Sequence, residues 1–476
     1  MSAQRVVIGV DSSTQSTKAV AVDLESGAVL GEGRAAHTVS AGSGRESDPE
    51  QWWRALGDAM AGTGWADRAA ACSIAGQQHG LVTLDAAGRP VRPALLWNDV
   101  RSAPQAAALG AAFGPADLAH RTGSVPTAAF TSTKWAWLRA HERAAADRVA
   151  AVRLPHDFLT ERLTGKAVTD RGDASGTGWW GPDGYDEDVL GRIGLDPGLL
   201  PRVLPPGAPA GAVRAGMPLR EGALVATGTG DNMAAALGLG LTPGRPVLSL
   251  GTSGTVYTVG RTRPVDPSGT VAGFADALGG WLPLACTLNC TLAVDRFAAL
   301  VGRDREDVEG GGTAVVLPYL DGERTPDLPG ASGLVHGLRH DTTPGQLLQA
   351  AYDGAVQALL GALDDVLRAG GEDPAPDEPL LLIGGGARGT AWQRTVQRLS
   401  GRAVQVPDIR EPVALGAAAQ AAALLTGEPA DAVARRWGTA GGRVLDPMPR
   451  DDDTLARIAS TLRRARALQE VPPAQR

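Results

Sequence analysis

The sequence predicts a mixed α/β protein built as two related domains, residues 1–242 and 243–476, around a central cleft. Three observations carry that expectation. The chain has 476 residues, more than one hydrophobic core serves and enough for two large domains. A strand, a tight turn of small hydroxyl residues and a return strand occur twice. The first copy reads Val7-Ile8-Gly9-Val10-Asp11-Ser12-Ser13-Thr14-Gln15-Ser16-Thr17-Lys18; the second reads Val247-Leu248-Ser249-Leu250-Gly251-Thr252-Ser253-Gly254-Thr255. After each copy the order is similar: more strands, then helices separated by single buried strands.

Residues 5–11, 18–24 and 27–33 read as a strand meander with short Gly turns. Asp48 caps a helix that opens Pro49-Glu50-Gln51 and carries Trp52 and Trp53. Residues 69–75 form a buried strand ending at Gly76-Gln77-Gln78-His79-Gly80, residues 82–85 follow, and Asp85-Ala86-Ala87-Gly88 is a turn. Leu95-Leu96-Trp97-Asn98-Asp99 reads as a strand with a polar end, and 102–165 as helices. The stretch 172–222 is rich in Gly, Pro and Asp and reads as irregular. Residues 224–228 form a strand that leads through Thr229-Gly230-Asp231-Asn232 into a helix over 233–240. Pro243, Gly244 and Pro246 break the chain there, and the meander restarts. In the second half, strands fall at 247–260, 281–284, 380–383 and 403–406, with helices at 286–302, 343–369, 390–400 and 413–426. The tail from about 470 is expected to fray. Three strands, then helix and strand, is the plan of ribonuclease-H-like and actin-like ATPase domains.

Composition excludes several functions. The net charge is −7 with both signs interspersed, so no electrostatic footprint for nucleic acid or anionic lipid is present. No apolar run approaches the ~18 residues that span a bilayer. The first strand starts at once, leaving no room for a signal peptide. Cys72, Cys286 and Cys290 form no disulfide framework; the last two, one helical turn apart, read as buried thiols. The expectation is a reduced, soluble, cytoplasmic protein. The only lysines are Lys18, Lys134 and Lys166, which makes Lys18 inside the first turn conspicuous.

Hydroxyl-rich hairpin turns present backbone N–H groups and hydroxyls with little bulk in the way, which suits polyphosphate oxygens. Asp11 stands just before the first turn. A carboxylate beside phosphates repels them unless a divalent cation lies between, so Asp11 reads as an anchor for Mg²⁺ rather than only a turn initiator. Asp231 precedes a helix and could be a plain N-cap. A carboxylate at a helix N-terminus is stabilised when ionised, so it is expected to be unprotonated at neutral pH and able to take a proton from a hydroxyl. Asp231 is also a candidate metal ligand. Gly384-Gly385-Gly386-Ala387-Arg388 follows an apolar strand and opens a helix, a turn against which a flat base and ribose can lie. Gln77, Gln78, His79, Trp97, Asn98, Asp99 and Arg101 follow buried strands, where polar groups converge on a ligand, and together suit a polyol. Asp99 and Arg101 read equally well as a local ion pair.

These residues are similar to the FGGY family of carbohydrate kinases along essentially the whole chain. Asp11 with Ser12-Ser13-Thr14, and Leu250-Gly251-Thr252-Ser253-Gly254-Thr255, resemble its two phosphate motifs; Gly384 to Arg388 resembles its adenosine motif. Phe130-Thr131-Ser132-Thr133-Lys134-Trp135-Ala136-Trp137-Leu138 resembles the first family signature, with Ala140 departing from its usual polar residue. Gly333-Leu334-Val335-His336-Gly337-Leu338, with Gln346-Leu347 and Ala350-Ala351-Tyr352-Asp353, resembles the second; Pro318 to Pro326 is a further family run. The resemblance implies two ribonuclease-H-like domains that close around the cleft. It implies Mg²⁺-ATP held by Ser12, Ser13, Thr14, Gln15, Lys18, Gly251, Thr252, Ser253, Thr255, Gly384, Gly385, Gly386 and Arg388. Gln78, His79, Asp231 and Asn232 would hold the sugar, with Asp231 as base. Family members are often homodimers.

The runs at 76–80 and 92–101 resemble the ketopentose kinases of the family, which implies D-xylulose as substrate. Those proteins commonly have Met where this chain has Gln78. A kinase for ribulose, fuculose, gluconate or glycerol is the alternative within the family. An actin- or Hsp70-like ATPase would share the hairpins but needs no polar cluster at 77–79 and 97–101.

Overall fold

Each half of the chain opens with an apolar run whose backbone is satisfied only inside a sheet. A computed structural model describes residues 5–40, 44–372 and 378–469; the tail expected to fray lies outside them. Strand β1 (Val6–Ser12) is buried at every position, as a central strand should be. It pairs antiparallel with β2 (Ser16–Asp23), which pairs antiparallel with β3 (Val29–Ala36). On its other side it runs parallel to β4 (Ala71–Gly76). Beyond β4 lie β5 (Pro209–Ala212), antiparallel to β6 (Leu224–Ala226), and β6 itself, parallel to β4; β7 (Thr229–Gly230) also pairs with β4.

The second sheet repeats this plan. Strands β8 (Val247–Leu250), β9 (Gly254–Tyr257) and β11 (Trp281–Thr287) form the meander, with β10 (Ala272–Ala275) outside β11. Strand β12 (Leu380–Ile383) runs parallel to β8, β13 (Val404–Pro407) parallel to β12, and β14 (Gly442–Leu445) closes the edge antiparallel. The duplication read from the two turns therefore extends to the whole sheet. It differs at the edge: β5 precedes β6 in the chain, whereas β14 follows β13.

The helices that matter for the site are α1 (Thr131–His141), α2 (Pro155–Thr164), α3 (Arg171–Ser175), α4 (Asp231–Gly238), α5 (Thr291–Val301) and α6 (Pro412–Thr426). The predicted 233–240 helix starts two residues earlier, so Asp231 is its first residue and Gly230 its cap. The strand expected over 95–99 is only Ala94–Leu95, because the polar residues after it are used in a side-chain network. Cys286 lies in β11 and Cys290 at the start of α5, so the two do not share a helix. The stretch 172–222, expected to be irregular, contains α3 and the helix Glu187–Ile193. No helix among the described residues is long and apolar enough to cross a membrane.

Helix α6 belongs to the second half of the sequence but lies across the first sheet. Its run Ala417-Ala418-Ala419 is buried, and small side chains let backbone approach backbone. A Cβ on Gly9 of β1 would lie 1.9 Å from Ala414 O; one on Gly416 would lie 1.9 Å from Ala234 O of α4; one on Gly238 would lie 1.9 Å from Pro412 O. Ser73 of β4 adds a hydrogen bond from Oγ to Gln420 Oε1, 2.9 Å. A second seam joins the halves where β10 meets the first: Gly273 N donates to Gly123 O (2.8 Å) and Ala275 N to Ser175 Oγ (2.9 Å).

Beneath the first sheet lies a buried ionic cluster. His156 Nε2 stands 3.4 Å from Asp157 Oδ1, 3.4 Å from Asp170 Oδ1 and 3.3 Å from Asp173 Oδ2. Burial opposes a charge on His156, but the three carboxyls outweigh it and raise its pKa to about 9. Burial, with Asp170, Asp157 and Asp231 nearby, pushes Asp173 well above the ordinary carboxylate range despite His156.

Measurable outcomes follow from these surroundings. Gly416→Ala should lower the urea-unfolding free energy by about 3 kcal/mol, the upper end for overpacking, since only backbone can yield. Gly110→Ala, in the helix Ala103–Phe113 with open space around it, should stabilise by about 0.5–1 kcal/mol. For His156, imidazole ¹⁵N shifts should show both ring nitrogens protonated at pH 8; titration near the ordinary ~6.5 would contradict the cluster. Its folded pKa is raised, so its stabilisation is complete below about 6.5 and is lost as pH climbs through about 9.

Candidate active site

The site begins where the first sheet ends. On β4, Ala75 pairs with Asp11 of β1 on one side and with Thr229 of β7 on the other. Asp11 and the residue after β7, Asp231, therefore leave the sheet at the same end, roughly two strand spacings or ~10 Å apart. The β1–β2 turn is closed by Ser13 N donating to Ser16 O, 3.1 Å. Asp11 is 4% exposed; its Oδ2 accepts from Ser13 Oγ at 3.3 Å and lies 3.6 Å from Lys18 Nζ. Its other oxygen, Oδ1, is buried with no hydrogen-bond partner among the described residues. Burial, opposed by Lys18 and reinforced by Glu411, raises its pKa to about 6. A buried carboxylate oxygen left over at a hydroxyl turn fits a hard cation. No group of three or more His, Cys, Asp or Glu among the described residues could hold a metal ion, so a cation at Asp11 would draw the rest of its shell from phosphate and water. Lys18 was expected to face phosphate; its Nζ also pairs with Glu411 Oε2 at 2.7 Å, at the entry to α6.

Asp231 keeps part of its surface open to solvent. Its Oδ1 accepts from Asn232 N (2.8 Å) and Asn232 Nδ2 (2.9 Å), and Asn232 Nδ2 also donates to Gln78 Oε1 (2.8 Å). Gln78, Asp231 and Asn232 are thus one hydrogen-bonded unit. The ionisation of Asp231 differs from the sequence expectation. Burial and then the Asp11 carboxylate raise Asp231 to about 7, and its place at a helix start does not offset them.

His79 has a left-handed φ of 65°, unusual for a residue with a side chain. Its Nδ1 lies 2.5 Å from Gly176 O, and its ring packs 4.8 Å from Phe130 and 5.6 Å from Phe274. Burial, helped by Lys134, lowers its pKa to about 3, so the ring is neutral. With Nδ1–H donated to Gly176, Nε2 is an acceptor. Both amide atoms of Gln77, Gln78 Nε2 and Asn98 Oδ1 are buried without partners among the described residues, leaving hydrogen-bonding capacity for hydroxyls. Trp97 is 43% exposed and donates from Nε1 to Thr14 Oγ1 (3.1 Å). Asp99 and Arg101, expected to face a polyol or each other, do the latter. Arg101 Nη2 donates to Asp99 Oδ2 at 2.6 Å and also pairs with Glu46, its guanidinium lies over Trp137, and Asp99 also accepts from Arg45 N. They brace the loop that carries Trp97.

The second sheet assembles its own group. The β8–β9 turn holds Gly251, Thr252 and Ser253, with Thr255 on the return strand. Gly251 O accepts from Thr291 N (3.0 Å) and Thr291 Oγ1 (2.8 Å) at the start of α5. β8 and β12 are parallel, so the glycine turn after β12 meets this hairpin: a Cβ on Gly384 would lie 2.8 Å from Leu250 O, and one on Gly386 2.9 Å from Leu250 Cβ. Gly384, Gly385 and Arg388 are exposed. Tyr257 of β9 sits in the core that α6 shares with both sheets, and burial, with Asp231 nearby, raises the pKa of its hydroxyl. Tyr257, Phe274, Asp170 and Thr229 were not found from sequence; each acts across elements distant in the chain, and no local pattern marks it.

Two family models match, the FGGY family of carbohydrate kinases N-terminal domain over residues 6–238 and the C-terminal domain over 247–425. The chain is 68% identical to a xylulose kinase of Streptomyces coelicolor, covering 99% of this chain and 98% of that protein. It is 67% identical to a xylulose kinase of Streptomyces rubiginosus, covering 98% and 97%. The crystal structure of a xylulose kinase from Bifidobacterium adolescentis superposes with a TM-score of 0.85 at 33% identity, covering 97% of this chain and 100% of that one. With both family domains matched in order on two duplicated α/β sheets, the chain belongs to the FGGY family of carbohydrate kinases.

Proposed function

We propose that this chain transfers the γ-phosphoryl group of ATP to the terminal hydroxyl of D-xylulose, giving D-xylulose 5-phosphate, in the cytoplasm. The observation that carries the reading is its 67–68% identity, over nearly full length, to two xylulose kinases. The local chemistry supports it. Neutral His79 offers Nε2 as an acceptor, Gln78 and Asn232 offer amides, and together they orient an uncharged polyol. Asp231 Oδ1 is engaged by Asn232, which leaves Oδ2 to take the hydroxyl proton as the new O–P bond forms and the bond to ADP breaks. Attack through a loose transition state needs positioning more than a strong base.

In this reading residues 1–242 carry the sugar and residues 243–476 the nucleoside. Ser12, Ser13, Thr14 and Gln15 face the phosphates from one side and Gly251, Thr252, Ser253 and Thr255 from the other. Gly384, Gly385, Gly386 and Arg388 hold adenosine, and Lys18 steadies Asp11. Mg²⁺ held at Asp11, with Asp231 beside it, would neutralise phosphate charge and relieve the repulsion that Asp11 exerts on Asp231.

A coupled ADP-release assay over D-xylulose, ribulose, fuculose, gluconate and glycerol should rank D-xylulose first in kcat/KM; another sugar ranking higher would overturn the substrate. Asp231→Asn should lower kcat about 10²- to 10⁴-fold, the range for a positioned base, while calorimetry still detects D-xylulose binding. Near-full turnover in that variant would remove Asp231 as base.

A further inference from the structure

We propose that Asp170 is a positioning residue for phosphoryl transfer, one buried carboxylate that fixes both the strand leading into Asp231 and the helix end that holds His79. The inference rests on the roles given above to Asp231 and His79. Asp170 is 5% exposed and touches neither of them. Its Oδ2 accepts from Thr229 Oγ1 at 2.7 Å, a well-formed O–H···O bond. Thr229 is fully buried and forms, with Gly230, the two-residue strand β7 that ends at Asp231. A strand of two residues has few ladder bonds of its own, so a strong side-chain tether matters to where it ends.

The same carboxylate caps α3. Oδ2 accepts from Gly172 N (2.8 Å) and Oδ1 from Asp173 N (3.0 Å). At the other end of α3, Gly176 O receives His79 Nδ1, and Ser175 Oγ receives Ala275 N from the second half. An ordinary cap requires neither the Thr229 bond nor the His156 contact at 3.4 Å. With partners on both oxygens, the Asp170 carboxylate cannot rotate without breaking several contacts. The surrounding glycines make room for this. A Cβ on Gly172 would sit 2.7 Å from both Asp170 Oδ2 and Thr229 Oγ1, and one on Gly176 would sit 3.0 Å from His79 Cε1. Asp170 therefore sets two catalytic distances at once: the base through Thr229, and the sugar-binding imidazole through α3.

The test compares Thr229→Val, Thr229→Ser and Asp170→Asn by steady-state kinetics with D-xylulose and ATP, alongside thermal melts. Thr229→Val keeps the shape and removes the hydroxyl. It should lower kcat about 10- to 100-fold, as small misplacements of reacting groups do, with KM for ATP unchanged. Thr229→Ser should restore kcat. Asp170→Asn should match Thr229→Val in kcat and also raise KM for D-xylulose, because α3 then loosens His79. The double variant should be no slower than Asp170→Asn alone, since both changes break one contact. Near-full kcat in Thr229→Val, or a Thr229→Ser as slow as Thr229→Val, overturns the inference, and this pair decides even if Asp170→Asn does not fold. Full activity in Asp231→Asn would instead sink the underlying reading of the base.

Discussion

Where α6 crosses α4 and β1, there is no room for a single side-chain carbon between backbones. Gly9, Gly238 and Gly416 each bring another segment's carbonyl to where a Cβ would stand. This fixes more than packing. α4 starts at Asp231, Asp11 is the next-to-last residue of β1, and α6 begins beside the Lys18–Glu411 pair. One crossing therefore sets where the two carboxylates stand relative to each other, and ties both to the sheet that carries the second hairpin. Close contact of small residues gains from dispersion over many atoms and leaves little freedom to slide. A larger residue at the crossing would move the site as well as loosen the fold.

With the two acids fixed so closely, electrostatics decides how they behave. A helix N-terminus favours a carboxylate by about 0.3–1 kcal/mol at ordinary exposure. The rise of Asp231 from 3.8 to about 7 corresponds to roughly 4 kcal/mol in the opposite sense. Burial and Asp11 therefore win over the helix end. The consequence suits a base: a proton acceptor whose affinity lies near working pH is better matched to its task than a fully acidic carboxylate. It also makes Asp11 and Asp231 a coupled pair, so what stands beside Asp11 changes the proton affinity of Asp231.

Most of the site's skeleton was readable from local signals. The hydroxyl hairpins, the buried strands and the glycine turn after residues 380–383 all rest on short-range rules of apolar runs and small turn residues, and they occupy the expected places. What could not be read involves segments far apart in sequence. Nothing in the Ala-rich run at 413–426 says that it lies on the first sheet, because small buried residues suit any close contact. Asp99 and Arg101 read from sequence either as facing a ligand or as a local ion pair; the partners that settle the brace, Glu46 and Trp137, are distant in the chain. Asp170 and His156 lie in stretches whose composition suggests only loop and helix; their meaning appears when four side chains from two segments meet.

That meeting is costly in itself, which is why it is informative. Buried charges lose hydration, and a well-packed apolar substitute is often as stable or more so. A fold selected for stability alone would gain little from His156 enclosed by three carboxyls, one of them pushed well above its ordinary range. The cluster makes sense as a means of holding Asp170 in place in the interior, where hydrogen bonds are electrostatically stronger than in water. Asp170 binds Thr229 and caps α3 together; an apolar side chain could do neither. His156, held positive by the three carboxyls around it, stands 3.4 Å from Asp170 Oδ1. The buried ions and the crossing helices thus solve the same problem from two sides: α6 holds Asp231 by backbone contact from the far half of the chain, and Asp170 holds the strand that delivers it.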